Sequence, residues 1–335
     1  MKMSSRFALS TLALLLAFPA VVMASPFAYV PNEKSGTVSI IDCATDTVLG
    51  QVKAGTRPRG LGVSKDGKTL YVSDQTTNSV LVIDLLKKEV VGSVAVGESP
   101  EGVEVSPTGE WVVAASEITN TVNFIATATN KNEFTVKTEG KNPEHVTFSP
   151  DGKWVYVSAE DADSVDVVDV LQRKQVASIT LAQRPRGMAF TPDGKRVYIA
   201  TELASRVFVV DVASQKIITE IKAGTFSNGV TMAPDGRQVY ISNGKDGTVS
   251  IIDTATNTVK ATIAVGKRPW NMAITPDGKK LYVANGRSNS VSVIDTDAMA
   301  LLHDIPVGAL PWGVVIQYYY SVIKNGHLTA VPVIM

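Results

Sequence analysis

A repeat with a period of 42 residues runs through nearly the whole chain and limits what the chain can fold into. The repeats align on a short segment that usually reads Tyr-Val or Tyr-Ile and begins at Tyr29, Tyr71, Val113, Tyr156, Tyr198, Tyr240 and Tyr282. One interval is 43 residues long, and its extra residue lies between Ala126 and Pro143. A unit of this length cannot bury its apolar face alone, so it must pack against its neighbours.

Each repeat contains four short strand patterns separated by turn residues. In the sixth repeat these are YISN (240–243), TVSIID (248–253), TVKATIAV (258–265) and NMAITPDG (271–278), the last of which ends in a turn. Proline and glycine at the ends of such segments favour a type I turn. Four antiparallel strands in 40 to 45 residues are typical of one β-propeller blade. The sequence therefore predicts an all-β, seven-bladed β-propeller over residues 25–317.

The ends of the chain predict how the ring closes. The first repeat begins with the AYVPN strand and so lacks one of its four strands, which PWGVVIQ (311–317) can supply. We expect this C-terminal strand to pair with the N-terminal blade, because closure removes an open sheet edge.

An aspartate ends the second strand pattern in six repeats. These residues are Asp42, Asp84, Asp169, Asp211, Asp253 and Asp295, and the remaining repeat has Ala126. A matching set of carboxylates can indicate a metal site. We favour a structural role instead, in which each short side chain accepts hydrogen bonds from the turn that follows.

The segments outside the repeat predict export. Lys2 and Arg6 precede an apolar run, and small residues precede Ser25, so residues 1–24 are predicted to be a signal peptide cleaved near Ala24. We expect a periplasmic or secreted protein, with no membrane span in the mature chain and a monomeric state. Residues 318–335 do not follow the repeat and form a C-terminal tail.

Charge and cysteine content narrow the classes of partner. The chain has 32 basic and 32 acidic residues, and loss of Lys2 and Arg6 leaves a mature chain with a net charge of −2. This balance disfavours a general polyanion binder, including a nucleic-acid-binding protein. Cys43 is the sole cysteine, so an internal disulfide is excluded.

Several segments resemble the YVTN-family β-propeller repeat. They are YVANGRSNSVSVID, YVSDQTTNSVLVID and YISNGKDGTVSIID, and the likeness covers about residues 27–317. SPEGVEVSPTGEWVVAASEITNTVNFIATAT and VGALPWGVVI further resemble exported propellers encoded with PQQ-dependent alcohol catabolism. The resemblance implies a seven-bladed periplasmic propeller and no established catalytic residues.

One position of the repeat varies while its surroundings stay nearly constant. It lies between a proline and a glycine, at the start of the innermost strand, and its occupants are Arg59, Glu101, Glu144, Arg186, Asn228, Trp270 and Trp312. The next residue is usually glycine, but it is His145 and Asn271 in two repeats. We expect these nine residues to surround the mouth of the central channel, where propellers usually bind ligands. Charged groups and indoles together suit a ligand with a charged part and a flat or apolar part.

A second set of equivalent positions, mostly acidic, follows the Tyr-Val segment. Its members are Glu33, Gln75, Glu117, Glu160 and Glu202, with Gly244 and Gly286 in the last repeats. An alternative to ligand binding is that the charges of the two sets pair with each other, as Arg59 with Glu101 and Glu144 with Arg186. Glu104 stands where other repeats have small residues, so we expect it to be paired, with Arg59 or Arg186, or to have a raised pKa.

Signals for catalysis or a cofactor are weak. The three histidines have no metal-ligand spacing, and the haem, nucleotide and serine-nucleophile motifs are missing from the sequence. No metal and no cofactor are predicted. Glu144, His145 and Arg186 are the candidates for catalysis, since some seven-bladed propellers are lactonases that use such residues at the channel mouth.

The sequence analysis therefore favours a non-enzymatic exported protein. It would bind a small molecule or a periplasmic partner protein at the channel mouth, in a role accessory to quinoprotein-linked alcohol catabolism. A lactonase-like hydrolase is the first alternative. Binding of single-stranded DNA, by stacking of bases on indoles, is the second.

Overall fold

The computed structural model describes residues 21–22, 26–317, 319–324 and 327–332. The secondary structure in these ranges consists of strands and turns, without a helix. Accordingly, none of the described residues forms a helix that could cross a membrane.

Thirty-one strands are numbered here in chain order. The first sixteen are β1 (Val21–Val22), β2 (Phe27–Asn32), β3 (Thr37–Asp42), β4 (Thr47–Lys53), β5 (Pro58–Val63), β6 (Thr69–Asp74), β7 (Ser79–Asp84), β8 (Glu89–Ala95), β9 (Pro100–Val105), β10 (Trp111–Ser116), β11 (Thr121–Ala126), β12 (Lys131–Lys137), β13 (Pro143–Phe148), β14 (Trp154–Ala159), β15 (Ser164–Asp169) and β16 (Lys174–Thr180). The others are β17 (Pro185–Phe190), β18 (Arg196–Thr201), β19 (Arg206–Asp211), β20 (Lys216–Lys222), β21 (Ser227–Met232), β22 (Gln238–Asn243), β23 (Thr248–Asp253), β24 (Thr258–Ala264), β25 (Pro269–Ile274), β26 (Lys280–Asn285), β27 (Ser290–Asp295), β28 (Ala300–Pro306), β29 (Val315–Gln317), β30 (Tyr319–Lys324) and β31 (His327–Pro332).

Seven four-stranded antiparallel sheets form the blades of a β-propeller, which confirms the predicted fold. From the innermost strand outward, blade 1 is β29-β2-β3-β4, blade 2 is β5-β6-β7-β8, and blades 3 to 7 continue in the same way to β25-β26-β27-β28. The extra residue of the third interval lies in the loop between Lys137 and Pro143, so it leaves the four strands of the adjoining blades unchanged.

The ring closes through the predicted pairing of the C-terminal strand with the first blade. Strand β29 pairs with β2 through Phe27↔Gln317, Ala28↔Ile316 and Tyr29↔Val315. The ladder is shorter than the predicted 311–317, because Trp312–Val314 are irregular and pairing resumes only at the Asn32↔Pro311 bridge. The loop after β2 also pairs with the segment before β29, because Glu33 N donates a hydrogen bond to Leu310 O at 3.0 Å.

The core lies between adjacent blades. One cluster joins Tyr29 and Val38 of blade 1 to Leu70 and Val72 of blade 2, and the same kind of contact recurs around the ring. The two middle strands of each blade are almost entirely buried, while most residues of the outermost strand are exposed. Burial of each large apolar side chain contributes roughly 1.5–3 kcal/mol.

The recurrent aspartates that end the third strand in six of the seven blades have the structural role that we expected. Asp253 Oδ1 accepts hydrogen bonds from Ala255 N at 2.9 Å and Thr256 N at 3.0 Å. Equivalent contacts to the following turn occur at the other five positions, Asp42, Asp84, Asp169, Asp211 and Asp295.

The chain termini form a sheet of their own. Strands β1, β30 and β31 make a three-stranded antiparallel sheet in the order β1-β30-β31. The predicted signal segment, residues 1–24, lies outside the described residues except for Val21–Val22. Its cleavage near Ala24 stays a prediction, and cleavage there would remove β1.

Two truncations test whether closure by β29 is needed for folding. A chain that ends at Leu310 lacks β29, which leaves β2 as an open edge and exposes the core of blade 1, so we expect no cooperative thermal unfolding by circular dichroism. A chain that ends at Tyr318 keeps β29 and is expected to unfold cooperatively. A folded monomer that ends at Leu310 would contradict the closure argument.

Candidate functional site

A cavity of about 190 Å³ opens at the end of the channel where the innermost strands begin. Its wall contains eight of the nine candidate residues, namely Arg59, Glu101, Glu144, Arg186, Asn228, Trp270, Asn271 and Trp312. It also contains Glu117, Glu160, Arg184 and Arg268. The ninth candidate, His145, lies behind this wall. Ligand binding by these residues stays a prediction.

Serine side chains on the second strand fix the position of the cavity wall. Ser73 Oγ accepts a hydrogen bond from Gly60 N at 2.9 Å and donates to Glu101 O of the next blade at 2.7 Å. Ser242 makes the same bridge, with Gly229 N at 2.8 Å and Trp270 O at 2.5 Å. Each bridge links the backbones of two innermost strands, so the rim side chains start from a rigid frame.

The rim charges of the early blades pair with each other. Arg59 forms ion pairs with Glu101 and with Glu33, the latter at 3.3 Å, and both carboxylates are almost fully buried. The predicted alternative of pairing between adjacent blades is therefore present in the structure. Arg59 Nε is nevertheless a buried N–H without a hydrogen-bond partner among the described residues.

Arg186 lies at the centre of the largest ion-pair network. Its guanidinium pairs with Glu144, with Glu160 at 2.7 Å and with Glu202 at 2.8 Å, and only 12% of its side chain is exposed. Burial by itself would raise the pKa of Glu144, but the summed effects of its cationic neighbours, Arg186 first, outweigh burial and the pKa is lowered. Three carboxylates around one cation also hold the pKa of Arg186 above its ordinary value, despite its burial.

Two further arginines at the cavity were missed by sequence reasoning. Arg184 and Arg268 stand directly before the proline of the repeated frame, and both pair with Glu202, at 3.5 and 2.6 Å. Both have a left-handed backbone, with φ of 65° and 55°. A comparison of the repeats two residues before the variable position of the frame would have found them, because this earlier position also varies, as Arg57, Ser99, Asn142, Arg184, Phe226, Arg268 and Leu310.

Glu117 differs from the other carboxylates at the channel mouth because it has no ion pair among the described residues. Its Oε2 accepts hydrogen bonds from Ser99 Oγ at 2.6 Å and Gln75 Nε2 at 3.2 Å. Its Oε1 has no hydrogen bond among the described residues. Burial raises the pKa of Glu117, the Ser99 hydrogen bond opposes the rise, and the Glu144 carboxylate adds to it. Glu117 thus lines the cavity with one carboxylate oxygen fixed by hydrogen bonds and the other without a hydrogen bond among the described residues.

His145 and Asn271, the two residues that replace the glycine, meet across the channel. His145 Nε2 lies 3.1 Å from Asn271 Oδ1, and the imidazole stacks on Trp312 with ring centroids 5.4 Å apart. Blades 5 and 6 separate the two residues on one side of the ring and blades 1 to 3 on the other, so this bond spans the axis. Asn271 and Trp312 line the cavity, so His145 contacts two residues of the cavity wall without lining the cavity itself.

The environment of His145 favours the neutral imidazole. Burial lowers its pKa, although Glu144 opposes this effect. Asn271 Oδ1 is an acceptor, which assigns the proton to Nε2. Nδ1 then has no hydrogen-bond partner among the described residues and lies 3.7 Å from Glu144 Oε1.

The other indole at the cavity depends on a glycine of the second set. A Cβ added to Gly286 would lie 2.6 Å from the Trp270 ring, so a larger residue there would displace the indole. Gly244 is crowded in the same way by Arg268, at 3.0 Å. These glycines therefore make room for the large side chains of the last blades.

The described part of the chain contains no group of three His, Cys, Asp or Glu side chains that could hold a metal ion. The chemistry available at the channel mouth is that of carboxylates, guanidinium groups, amides and indoles.

Two family models match parts of the chain. The model described as "Lactonase, 7-bladed beta-propeller" matches residues 169–303, and the "Choice-of-anchor I domain" model matches residues 17–182. No curated protein matches the chain.

Many solved structures share the fold. A hydrazine synthase structure from Kuenenia stuttgartiensis is 23% identical, with a TM-score of 0.75, over 85% of this chain and 99% of that one. A putative 6-phosphogluconolactonase from Bacteroides uniformis is 22% identical, with a TM-score of 0.73, over 87% of this chain and 99% of that one. A second putative 6-phosphogluconolactonase, from Bacteroides fragilis, is 20% identical with a TM-score of 0.73, over 88% and 98% of the two chains. At these identities the likeness shows the fold alone.

The expectation of a non-enzymatic binding protein is corrected by these comparisons. The matching model is one of seven-bladed lactonases, and two of the solved propellers are described as putative lactonases. The hydrolase alternative therefore fits the findings better. The sequence reasoning failed here because it searched for short catalytic motifs, whereas this rim is assembled from single residues of many blades.

Replacement of Arg186 tests the ion-pair network. Arg186→Leu leaves three buried carboxylates without their shared cation, so we expect a loss of about 3–5 kcal/mol in the free energy of unfolding at pH 7. Glu160 and Glu202 keep other arginine partners, but Glu144 is left without one. Its pKa then lies above that of the unfolded chain, so protonation relieves it and the loss is smaller at pH 5. Urea unfolding at both pH values measures this. The matched control is Arg206→Leu, which breaks a half-exposed pair with Glu220 at 3.6 Å and should cost about 1 kcal/mol or less. An equally small effect of Arg186→Leu would contradict the assigned role.

Proposed function

We propose that the protein is a lactonase-like hydrolase whose active site is the cavity at the channel mouth. One observation carries the proposal: Glu117, a carboxylate without an ion pair among the described residues, and the Arg59 guanidinium line the same small, polar cavity. Arg59 is also one of the guanidinium groups whose charge acts on Glu117. The match to the lactonase model over residues 169–303 supports the same reaction class.

Glu117 serves as the general base. Its Oε1 takes a proton from a water molecule whose oxygen attacks the lactone carbonyl carbon, and Ser99 and Gln75 hold the other oxygen in place. A general base must lie within hydrogen-bond reach of the proton that it removes, and a pKa raised towards the working pH improves proton transfer. Burial gives Glu117 such a pKa.

The Arg59 guanidinium, which is partly exposed in the cavity wall, stabilises the negative charge that develops on the carbonyl oxygen. A donor held in place before the reaction is suited to an anion that forms only in the transition state. The ring carbon–oxygen bond then breaks, the leaving alkoxide takes the proton from Glu117, and the product is a hydroxy acid.

The remaining rim residues position the substrate. Asn228, Trp270 and Trp312 offer an amide and two indole surfaces, while the paired arginines are already saturated by carboxylates. At about 190 Å³ the cavity suits a single small ring with polar substituents, such as the δ-lactone of a hexose. His145, named as a catalytic candidate from the sequence, acts instead as a positioning residue behind Trp312 and Asn271.

Substitution of Glu117 tests this mechanism. Wild-type protein is expected to hydrolyse at least one member of a panel of sugar and aliphatic δ- and γ-lactones, followed by acid release and corrected for spontaneous hydrolysis. Glu117→Gln should lower kcat by about 100-fold or more, with little change in KM, because it removes general-base catalysis. The matched control is Glu133→Gln, which neutralises an exposed carboxyl on an outer strand and should leave kcat unchanged.

The pH profile gives a second readout of the same group. Since only ionised Glu117 accepts the proton, kcat should rise with pH through a midpoint above the ordinary pKa of glutamate. This limb should vanish in Glu117→Gln. No turnover across the panel would overturn the hydrolase proposal, whereas equal turnover in wild type and Glu117→Gln would overturn only the assigned base.

We also propose that the repeats are of the YVTN type and that the chain is exported. The first proposal is supported by the segments that start at Tyr71, Tyr240 and Tyr282, and VGALPWGVVI supports the narrower likeness to propellers encoded with PQQ-dependent catabolism. Export is supported by the basic and apolar composition of residues 1–24.

Mass spectrometry of the protein from a periplasmic extract tests export. We expect a mature chain that begins at Ser25, since the small residues before it suit a signal peptidase. Recovery of the chain from the cytoplasm with Met1 in place would contradict export.

A further inference from the structure

The far end of the channel holds a second and larger cavity. Its volume is about 730 Å³, and its lining comes from the ends of the innermost strands and the turns that follow them. The catalytic candidates stand at the opposite ends of the same strands. The two cavities are therefore separate, and the inference drawn here does not depend on the proposed hydrolase activity.

The lining of this far cavity is mainly apolar. Five blades contribute a proline from the same turn position, and these are Pro107, Pro150, Pro192, Pro234 and Pro276. Phe190, Met232, Ile274, Val315 and Ile316 add larger apolar surfaces. A cavity of this size with an apolar wall is typical of a small-molecule site, in which a few polar groups set the orientation of the ligand.

Glu104 places a carboxyl group in this apolar wall. Its equivalents in the other blades are Gly62, Thr147, Ala189, Thr231, Ala273 and Val315, so the acid is specific to one blade. Glu104 Oε2 accepts a hydrogen bond from Phe148 N at 2.8 Å, and Oε1 has no hydrogen bond among the described residues. Neither Arg59 nor Arg186, the partners considered from the sequence, is paired with it in the structure.

Among the described residues, no cation forms an ion pair with Glu104. Lys65 is the other titratable residue in the lining, and its ammonium group is bound to Pro107 O at 3.1 Å. Burial raises the pKa of Glu104 to about 8, the Phe148 hydrogen bond opposes the rise, and no charged group contributes. This is the second of the two outcomes expected for this residue from the sequence.

The remaining polar groups of the lining are already used. Ser64 donates to Asp66, Ser106 Oγ accepts from Trp111 N at 3.0 Å, and Gln317 donates to Gly67 O. Glu104 Oε1 is therefore the polar atom that a ligand in this cavity would meet, surrounded by hydrocarbon.

We propose that the far cavity binds an organic amine with a compact apolar body, and that the Glu104 carboxylate is the counter-ion of its ammonium group. A charge-assisted hydrogen bond is roughly twice as strong as a neutral one and gains further in a low-dielectric wall. The apolar body contributes roughly 25 cal/mol for each Å² that it buries. Once Glu104 is ionised, it repels an anionic ligand, and a neutral ligand forgoes the ion pair.

Matched ligands on one hydrocarbon frame test the proposal with the full chain. Isothermal titration calorimetry at pH 9, where Glu104 is mostly ionised, with 1-aminoadamantane, 1-adamantanol and adamantane-1-carboxylate should show the amine binding at least 10-fold more tightly than the alcohol, and no binding of the carboxylate. Equal affinity for amine and alcohol would overturn the proposal.

Substitution of Glu104 supplies the second arm. Glu104→Gln keeps the shape and the hydrogen-bond acceptor but removes the charge, so amine affinity should fall at least 10-fold while alcohol affinity stays the same. The matched control is Glu110→Gln, an exposed acid beside the same blade, which should bind the amine like wild type. Unchanged amine affinity in Glu104→Gln would also refute the assignment.

Proton release decides the question on wild-type protein alone, even if the variant fails to fold. With a pKa of about 8, Glu104 is mostly protonated at pH 7, so pairing with an ammonium group should release close to one proton per amine bound. Titrations in two buffers of different ionisation enthalpy measure this number. The release should fall towards zero at pH 9, and amine affinity should rise about 10-fold between pH 6 and pH 7. Binding of the amine without proton release at pH 7 would contradict a role for Glu104.

Discussion

The close contact between the innermost strands of neighbouring blades is the constraint on which both ends of the channel depend. A Cβ added to Gly60 would lie 2.1 Å from Glu101 O, and one added to Gly102 would lie 2.5 Å from Glu144 O. Glycine at these positions lets the strands approach until Ser73 can bridge them. The narrow ring that results brings side chains from all blades within reach of each other.

This contact turns single residues of separate repeats into shared sites. At the channel mouth it places six carboxylates among five guanidinium groups, so that pairing leaves Glu117 without a cation. The ion pairs hold the rim rigid and cost little motion during a reaction, because their geometry is set before a substrate arrives. Glu117 and Arg59 are the two groups of the rim to which the proposed mechanism assigns the chemistry.

The two ends of the channel use burial of a carboxyl group in different ways. At the mouth, charges of the protein surround the carboxylates, and the pKa of Glu144 is lowered because the summed effects of its cationic neighbours, Arg186 first, exceed the effect of burial. At the far end Glu104 stands in a hydrocarbon wall, so burial dominates and its pKa rises to about 8. At the mouth Glu144, Glu160 and Glu202 are paired with cations of the protein. At the far end, the cation that we propose for Glu104 comes from a bound ligand.

The sequence by itself determined the seven blades, their four strands and their closure, because the 42-residue period and the turn residues are local signals that every repeat carries. It also identified the rim positions, since a variable residue in a constant frame points away from the packing. Only the tertiary structure decided which charges pair, why Arg184 and Arg268 join the rim, and why His145 meets Asn271 across the axis. These contacts join residues of different blades, up to 126 positions apart for His145 and Asn271. No local pattern encodes such a distance, because it follows from the radius at which seven blades close into a ring.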